Sequence, residues 1–425
     1  MLPRLLCESL CSLNPSEDRL AFSVVWELTP DGKIVGEWFG KTVIRSCVKF
    51  SYDHAQSLIN EPNKEWQKGE LPEITGGHTI KEVSQAVNNL NKIAVSLRKK
   101  RFKDGALRLD QVKLSFDLDF ETKMPNGFFV YEYKDSNRLI EEFMLLANIA
   151  VANKIYQIFP TKAILRRHPV PLDGPMTSTK HLLSTLGVNI DVSNSSTLNA
   201  SIQHYKGDDK YSCARMQLIV SMCSKPMQFA RYFCTGHLLD RRQFQHYALN
   251  VPLYTHFTSP IRRYADVMVH RLLAACINPG LYPNPKMDVN QAQLRAENCN
   301  DKKQTAKTAG DLSIEMYMGV FVKQVGELVE EAMVMGVLDK SFDVFILKLG
   351  IIKRVYTDKI PVHVSHTKKN NNITLYLEWE PDQKQGLPKL LQIINYFSLV
   401  TVTLRPFDNG SLKFNAILNR PKNDG

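Results

Sequence analysis

HYALNVPLYTHFTSPIRRYADVMVH, residues 246–270, decides the reading of this chain. It sets Tyr254, His256, Thr258, Ser259, Arg262, Arg263, Tyr264, Asp266 and His270 around a fixed Ser259-Pro260 step. A packing element needs far fewer hydrogen-bonding and cationic side chains than that. Arg262 and Arg263 bring forked, permanently charged donors suited to phosphate oxygens. Thr258 and Ser259 add hydroxyls. A helix entered after Pro260 would aim backbone N–H groups and a positive dipole end at an anion. Tyr254, Phe257 and Tyr264 offer rings that could line a base-stacking channel. The plain alternative is an arginine pair in surface salt bridges with the aromatics in the core, and an S-P-x-R-R match alone would favour it.

Working outward, the N-terminal side reads as a short helix and then a hairpin. Its runs are Leu20 to Leu28 and Lys33 to Phe50, joined at Pro30-Asp31-Gly32. Residues 61–79 are polar, carry Pro62, Pro72, Gly76 and Gly77, and read as a loop. A helix is predicted from Thr79 to Arg101, ending in the basic block Arg98 to Arg101. Cations at a helix C-terminus favour its dipole, and a phosphate-facing role is the alternative. Strands follow over 107–120 and 127–133. The clearest helix spans Asn137 to Phe159, apolar on most faces and therefore central. Glu141 and Asn148 are seven apart and share a face, with Glu142 alongside. Polar groups on a buried helix need partners or a task.

Arg166-Arg167-His168-Pro169 opens a loop, and a helical region is predicted over 177–240 with Asp208-Asp209 at an N-cap. A helix over 266–276, a Pro-rich loop through Pro279, Pro283 and Pro285, and a long polar helix over 288–323 come next. From Glu327 the pattern changes to short strands: 332–338, 342–349, 351–356, 373–379, 397–404 and 412–418. Even strands with turns between them argue for a small β-barrel of OB type, a common platform for single-stranded nucleic acid. Tyr356, Trp379 and Phe397 are candidate stacking rings there, with the core as the alternative for each.

The chain has 425 residues and a formal net charge of +11, consistent with a polyanionic partner. Its eight cysteines form no C-x-x-C and sit at no zinc-finger spacing, so reduced core thiols are expected and a zinc site is not. No run reaches the roughly 18 to 20 apolar residues that span a bilayer. The expectation is a soluble intracellular protein without membrane contact.

The 246–270 stretch resembles the signature of the RNase II (RNB) family of processive 3′-to-5′ exoribonucleases. Met1-Leu2-Pro3 with Leu13-Asn14-Pro15, Arg101-Phe102 with Asp104-Gly105-Ala106-Leu107, Glu141 to Asn148, and Arg166 to Pro169 are also family-like. The resemblance covers nearly the whole chain and is closest to the cytoplasmic, exosome-independent branch linked to uridylated RNA. It implies an α+β architecture: an RNB catalytic domain over 1–324, incomplete at its N-terminus, an S1-like OB barrel over 325–421, and a tail over 422–425. It implies a monomer that threads a single-stranded RNA 3′ end down a channel and releases nucleoside 5′-monophosphates. Arg262 would then contact the scissile phosphate. Arg263, Tyr264, Ser259, Thr258, Tyr254, His256, Arg166, Arg167 and His270 would contact RNA. Asn148 and either Glu141 or Glu142 would line the deep end of the channel.

The family also implies magnesium ions held by aspartates in a D-P-x-x-A-R-D-x-D-D type run, and no such run is found. Asp110, Asp117 and Asp119 lie on a strand-like segment and Asp208-Asp209 stands beside Lys210; neither resembles it. The expectation is a chain that begins within a longer family member, offers no metal ligands, and is catalytically impaired alone. A non-catalytic RNA-binding isoform or regulatory fragment is the alternative.

Overall fold

The computed structural model describes residues 2–109, 112–282, 287–369, 372–381, 388–407 and 411–421. Asp110, Pro283, Pro285 and the tail therefore lie outside the described residues. The N-terminal hairpin is present: β1 (Asp18–Leu28) pairs antiparallel with β2 (Ile34–Arg45), placing Val24 opposite Phe39 and Trp26 opposite Glu37. Gly32 takes a positive φ of 81° at the turn, which glycine adopts without steric cost. The second strand ends at Arg45, short of the expected Phe50, and a connection leads to α1 (Tyr52–Asn60). Ser51 and His54 cap it reciprocally, a local signal too short to outweigh the strand formers before it.

Helix α2 (Ile80–Lys103) opens on a Thr79–Glu82 capping box and closes on Lys100, Arg101 and Lys103, as its end signals predict. A hairpin of β3 (Leu114–Leu118) and β4 (Pro125–Val130) follows, shorter than the runs read from sequence. Helix α3 (Asp135–Ile158) is the central element expected, with Val151, Ala152 and Ile155 fully buried. β5 (Ile164–Arg167) comes next. The helical region expected over 177–240 is broken. It is α4 (Asp173–Thr185), α5 (Ser195–Gln203) and α6 (Lys210–Ser224), the last two capped by Asn194 and Asp209. Gly187 at φ 74° supplies a break after α4. The chain then extends into β6 (Arg231–Cys234), antiparallel to β5 with Arg166 opposite Tyr232. Capping side chains and a glycine outweighed the mixed periodicity from which one long region was read.

After the signature stretch come α7 (Tyr264–Ile277) and α8 (Val289–Val325). The last segment is all β: β7 (Leu328–Leu338), β8 (Ser341–Ile346), β9 (Ile351–Tyr356), β10 (Val362–Lys369), β11 (Asn372–Trp379), β12 (Leu390–Ile394), β13 (Leu399–Pro406) and β14 (Phe414–Leu418). One sheet runs β14-β13-β7-β8-β9, and β10-β11-β12 form another. Strands β9 and β14, at the two ends of the larger sheet, lie near each other, so it is nearly closed.

The chain divides into two compact units. The first holds residues 1–107, 133–170 and 228–304, the second 108–132, 171–227 and 305–425. In the first, Val151, Ile155, Leu165, Phe233, Met268 and Leu272 form the core, with Phe22, Val24 and Phe39 of the hairpin packed against it. In the second, Phe342, Val344, Val355, Leu375, Leu377 and Val402 form the barrel core. Two of the expected stacking rings are buried: Trp379, 5% exposed, belongs to the barrel core, and Phe397, 6% exposed, lies under the Arg215 guanidinium, whereas Tyr356 is 48% exposed. Trp379 falls on the inward face of β11, alternating with half-buried neighbours, so its ring is a core ring.

Candidate nucleic-acid interface

The signature stretch runs from mostly irregular backbone after β6 into the first turns of α7, and side chains of the first unit hold it in place. Asn148, buried on α3, donates from Nδ2 to Tyr254 Oη at 3.1 Å and accepts the Phe257 N–H on Oδ1 at 2.8 Å. The backbone of β5 continues the grip. Arg166 N–H donates to the Tyr254 carbonyl at 2.7 Å, and Thr255 Oγ1 donates to the Ile164 carbonyl at 2.7 Å. His270 of α7 hydrogen-bonds the Phe257 carbonyl through Nε2 at 2.8 Å and stacks on the Phe257 ring with centroids 4.5 Å apart. Burial and backbone partners thus assign Asn148 and His270 to positioning this loop. Tyr254 and Phe257 are 4% and 5% exposed, so their rings belong to the wall rather than to an open stacking surface.

Past Pro260 the chain turns, and Asp266 organises it. Its Oδ1 accepts the Ser259 N–H at 2.7 Å and the Arg263 Nη2 at 2.8 Å, while Asp266 itself is fully buried. A buried carboxylate needs such compensation, since an unpaired one is costly. Arg263 also donates to Thr258 Oγ1 at 3.3 Å. Its neighbour Arg262 is exposed and bonds only loosely within the chain, to Ser259 Oγ at 3.2 Å. The two arginines therefore differ. Arg263 is fixed, and Arg262 is extended to solvent and free to meet an incoming group. Tyr264 is half exposed and accepts from Arg295 at 3.0 Å.

Beside this turn, Arg166 donates from Nη1 to His256 Nε2 at 3.3 Å. A guanidinium can only donate, so Nε2 accepts and the neutral ring carries its proton on Nδ1, toward the Tyr232 hydroxyl at 2.5 Å. Burial, and then Arg166 and Arg263, push the His256 pKa far below its ordinary value. Burial, and then Arg166 and His168, do the same to His246. Both histidines are therefore neutral at physiological pH. Burial also raises the Tyr232 hydroxyl to about 12. Lys303 of α8 completes the group. Desolvation by its surroundings, and then Arg166 and Arg263, bring it down to about 8. Its side chain still meets water. Arg166 and Arg263 thus both act on Lys303, with Asp266 bonded to Arg263, a local excess of positive charge suited to phosphate.

The remaining expected site residues lie elsewhere. Arg166 and Arg167 are adjacent on β5 and so project to opposite faces; Arg167 bonds Gln243 Oε1 at 3.3 Å. Glu142, 4% exposed, is held by Arg101 of α2 at 2.5 Å, and Glu141 accepts from Tyr133 Oη at 2.9 Å. Arg101 and Glu142 form a buried ion pair that ties α2 to α3. Sequence reasoning passed over Lys303. It sits in a polar helix without apolar periodicity, and only the fold brings it to Arg166.

Magnesium, which the family implies, needs carboxylates converging on one point. Among the described residues no group of three or more His, Cys, Asp or Glu side chains is placed to hold a metal. Asp266 is already bonded to Ser259 and Arg263. The described residues do not fit the ion, and no step is routed through it. No helix among the described residues is long and apolar enough to cross a membrane.

Comparison with known proteins identifies the family. Residues 1–279 match the RNB domain model, and residues 326–416 match the model described as DIS3-like exonuclease 2 C terminal. DIS3-like exonuclease 2 of Xenopus tropicalis is 53% identical over 423 residues, covering 99% of this chain and 50% of the relative. The Caenorhabditis elegans protein of that description is 42% identical over 422 residues, covering 99% and 49%. The chain thus spans about half the length of these curated relatives. Among solved structures, Mycoplasma genitalium RNase R in complex with ribose methylated single-stranded RNA superposes with a TM-score of 0.76 at 18% identity, covering 98% of this chain and 60% of that one. Yeast Ssd1, a pseudonuclease, gives 0.75 at 23% identity, covering 98% and 59%. At such identities these two show the fold alone. By its matched domain and its homologues along the full chain, this protein belongs to the RNB exoribonuclease family, alongside the DIS3-like exonuclease 2 proteins.

Proposed function

We propose that this chain grips single-stranded RNA, preferentially a uridylated 3′ end, for the 3′-to-5′ decay that releases nucleoside 5′-monophosphates. The observation that carries the reading is the turn after Pro260, where Arg263 is fixed by Asp266 and Thr258 while the adjacent Arg262 is exposed. Arg262 meets the scissile phosphate, and Arg263 with Thr258 and Ser259 positions the backbone next to it. Tyr264 and Tyr356 are the exposed rings available for stacking. The barrel acts as an S1-type platform. A monomeric, cytoplasmic protein belongs to the same proposal.

A second reading concerns hydrolysis. Two buried carboxylates of the first unit are engaged in structure: Asp266 with Ser259 and Arg263, Glu142 with Arg101. We propose that the chain alone binds RNA with little or no cutting. The test is a denaturing-gel time course of 5′-labelled U-rich RNA with magnesium, beside a native gel of the same mixture. A shifted but uncut RNA is the expected result. A ladder abolished by Arg262→Ala would overturn the second reading, and an unshifted RNA would overturn the first.

A further inference from the structure

We propose that the segment from Leu2 to Cys11 is a positioning element of the RNA grip: the Leu2 N–H holds the Ile261 peptide and so fixes where Arg262 is presented. The proposal deepens the RNA-gripping reading and rests on it for the role of Arg262.

The turn that carries Arg262 is tied at both ends. Asp266 Oδ1 accepts the Ser259 N–H at 2.7 Å and Arg263 Nη2 at 2.8 Å. Asp266 Oδ2 is buried without a hydrogen-bond partner, so the carboxylate holds the turn through one oxygen. Inside the turn, the Ser259 carbonyl accepts the N–H of Arg262 at 3.3 Å and that of Arg263 at 3.1 Å. The Arg262 side chain bonds Ser259 Oγ within the same turn. Pro260 has no N–H to offer. The middle of the turn is therefore left to be fixed from outside.

The N-terminal segment supplies that tie. The Leu2 N–H donates to the Ile261 carbonyl at 2.9 Å. Among the described residues this is the one backbone–backbone bond that joins residues 260–262 to a distant part of the chain. A peptide unit is planar, so holding the Ile261 carbonyl also sets the Arg262 nitrogen and Cα. The direction in which the exposed Arg262 side chain leaves the turn follows from that plane.

The donor is itself held. The Pro3 carbonyl accepts the N–H groups of Leu6 and Cys7, both at 3.0 Å. Leu5–Leu10 then form a short π-helix, a rare conformation that recurs at functional sites. Cys7 is buried, and its thiol donates to the Leu2 carbonyl at 3.1 Å while lying 3.8 Å from the Ile261 carbonyl. Leu5 and Leu10 remain 69% and 59% exposed, so the segment buries little of its leucine surface. Its specific contact with the turn is the polar one at Ile261. A cation held in place before its ligand arrives loses less freedom on binding than one on a loose turn. Removing the tie should therefore weaken RNA binding through Arg262.

The experiment compares Leu2→Pro, which deletes the N–H, with Leu2→Ala, which keeps it. Anisotropy of a labelled U-rich single strand is measured with the full chain as wild type, as each Leu2 variant, as Arg262→Ala, and as Leu2→Pro combined with Arg262→Ala. Thermal melting ensures that only folded protein is compared. Leu2→Pro should weaken binding about three- to tenfold, the worth of one hydrogen bond, and Leu2→Ala should bind as the wild type does. Arg262→Ala should cost about tenfold or more alone, but about threefold or less in the Leu2→Pro background, because the two changes remove the same contact. Wild-type affinity in Leu2→Pro, equal weakening by Leu2→Ala, or the same Arg262→Ala loss in both backgrounds would overturn the proposal. Amide hydrogen exchange of the wild type tests it without any variant. The Leu2 amide should be protected in the free protein and stay so with RNA bound; exchange at the rate of an unstructured peptide would overturn the tie. RNA bound without coupling between Leu2 and Arg262 sinks the positioning role alone. RNA left unbound by the wild type sinks the RNA reading, and the exchange of Leu2 still decides whether the segment holds the turn.

Discussion

Asn148 shows how far a single residue could be read. Its position on a buried, mostly apolar helix marked it as a polar group with a partner or a task. The structure gives it partners: Tyr254 and the Phe257 backbone, both on the signature loop. The sequence could not show that these partners lie more than a hundred positions away. The same blindness explains Tyr254 and Phe257, where an aromatic in a motif reads alike whether it stacks on a base or walls the loop. Asn148→Ala would strand a buried hydroxyl and a buried N–H, at about 1–3 kcal/mol each. A loss of roughly 2–6 kcal/mol in urea unfolding is expected; a loss under about 1 kcal/mol would contradict the anchoring role. Glu142→Ala leaves Arg101 without its main buried partner and should cost about 3–5 kcal/mol by the same measurement. Arg262→Ala should leave stability within about 0.5 kcal/mol, because its side chain is exposed.

At the scale of elements, strong periodicity and end signals were legible, as in α2, α3 and α7, and α8 was legible as a long polar helix. The hairpin of β1 and β2 was legible through its turn residues. Elements whose signal is weak were not. β10 reads VHVSHTKK and is exposed over most of its length, so it carries no run of strand formers, and pairing with β11 makes it a strand. β12 is a five-residue strand held by β11 in the same way. Inside and outside rings in the barrel also needed the fold. Trp379→Ala should cost about 3–5 kcal/mol by opening a cavity in the barrel core. Tyr356→Ala, at an exposed ring, should leave unfolding unchanged and weaken single-stranded RNA binding about three- to tenfold. Unfolding and binding titrations of the two variants check the assignment, and the reverse pattern would mean that the stacking face of the barrel is misread.

Across the whole molecule, the net charge of +11 pointed to a polyanion without saying where it docks. The fold localises part of that charge. It sets Arg166 and Arg263, from distant parts of the sequence, about the signature loop, while Arg101, Arg167 and others serve structure. A cation that touches phosphate releases counterions. For single strands, the salt slope falls by about 0.7 for each phosphate that is no longer neutralised. A cation that only packs leaves the slope alone. The most direct measurement is therefore fluorescence anisotropy of a labelled U-rich single strand, titrated with wild type and with Arg262→Ala across a range of salt concentrations. The account predicts weaker binding by Arg262→Ala, with a log–log salt slope shallower by about 0.7, and duplex RNA bound more weakly than the single strand. Equal affinities and parallel slopes for the two proteins would contradict it.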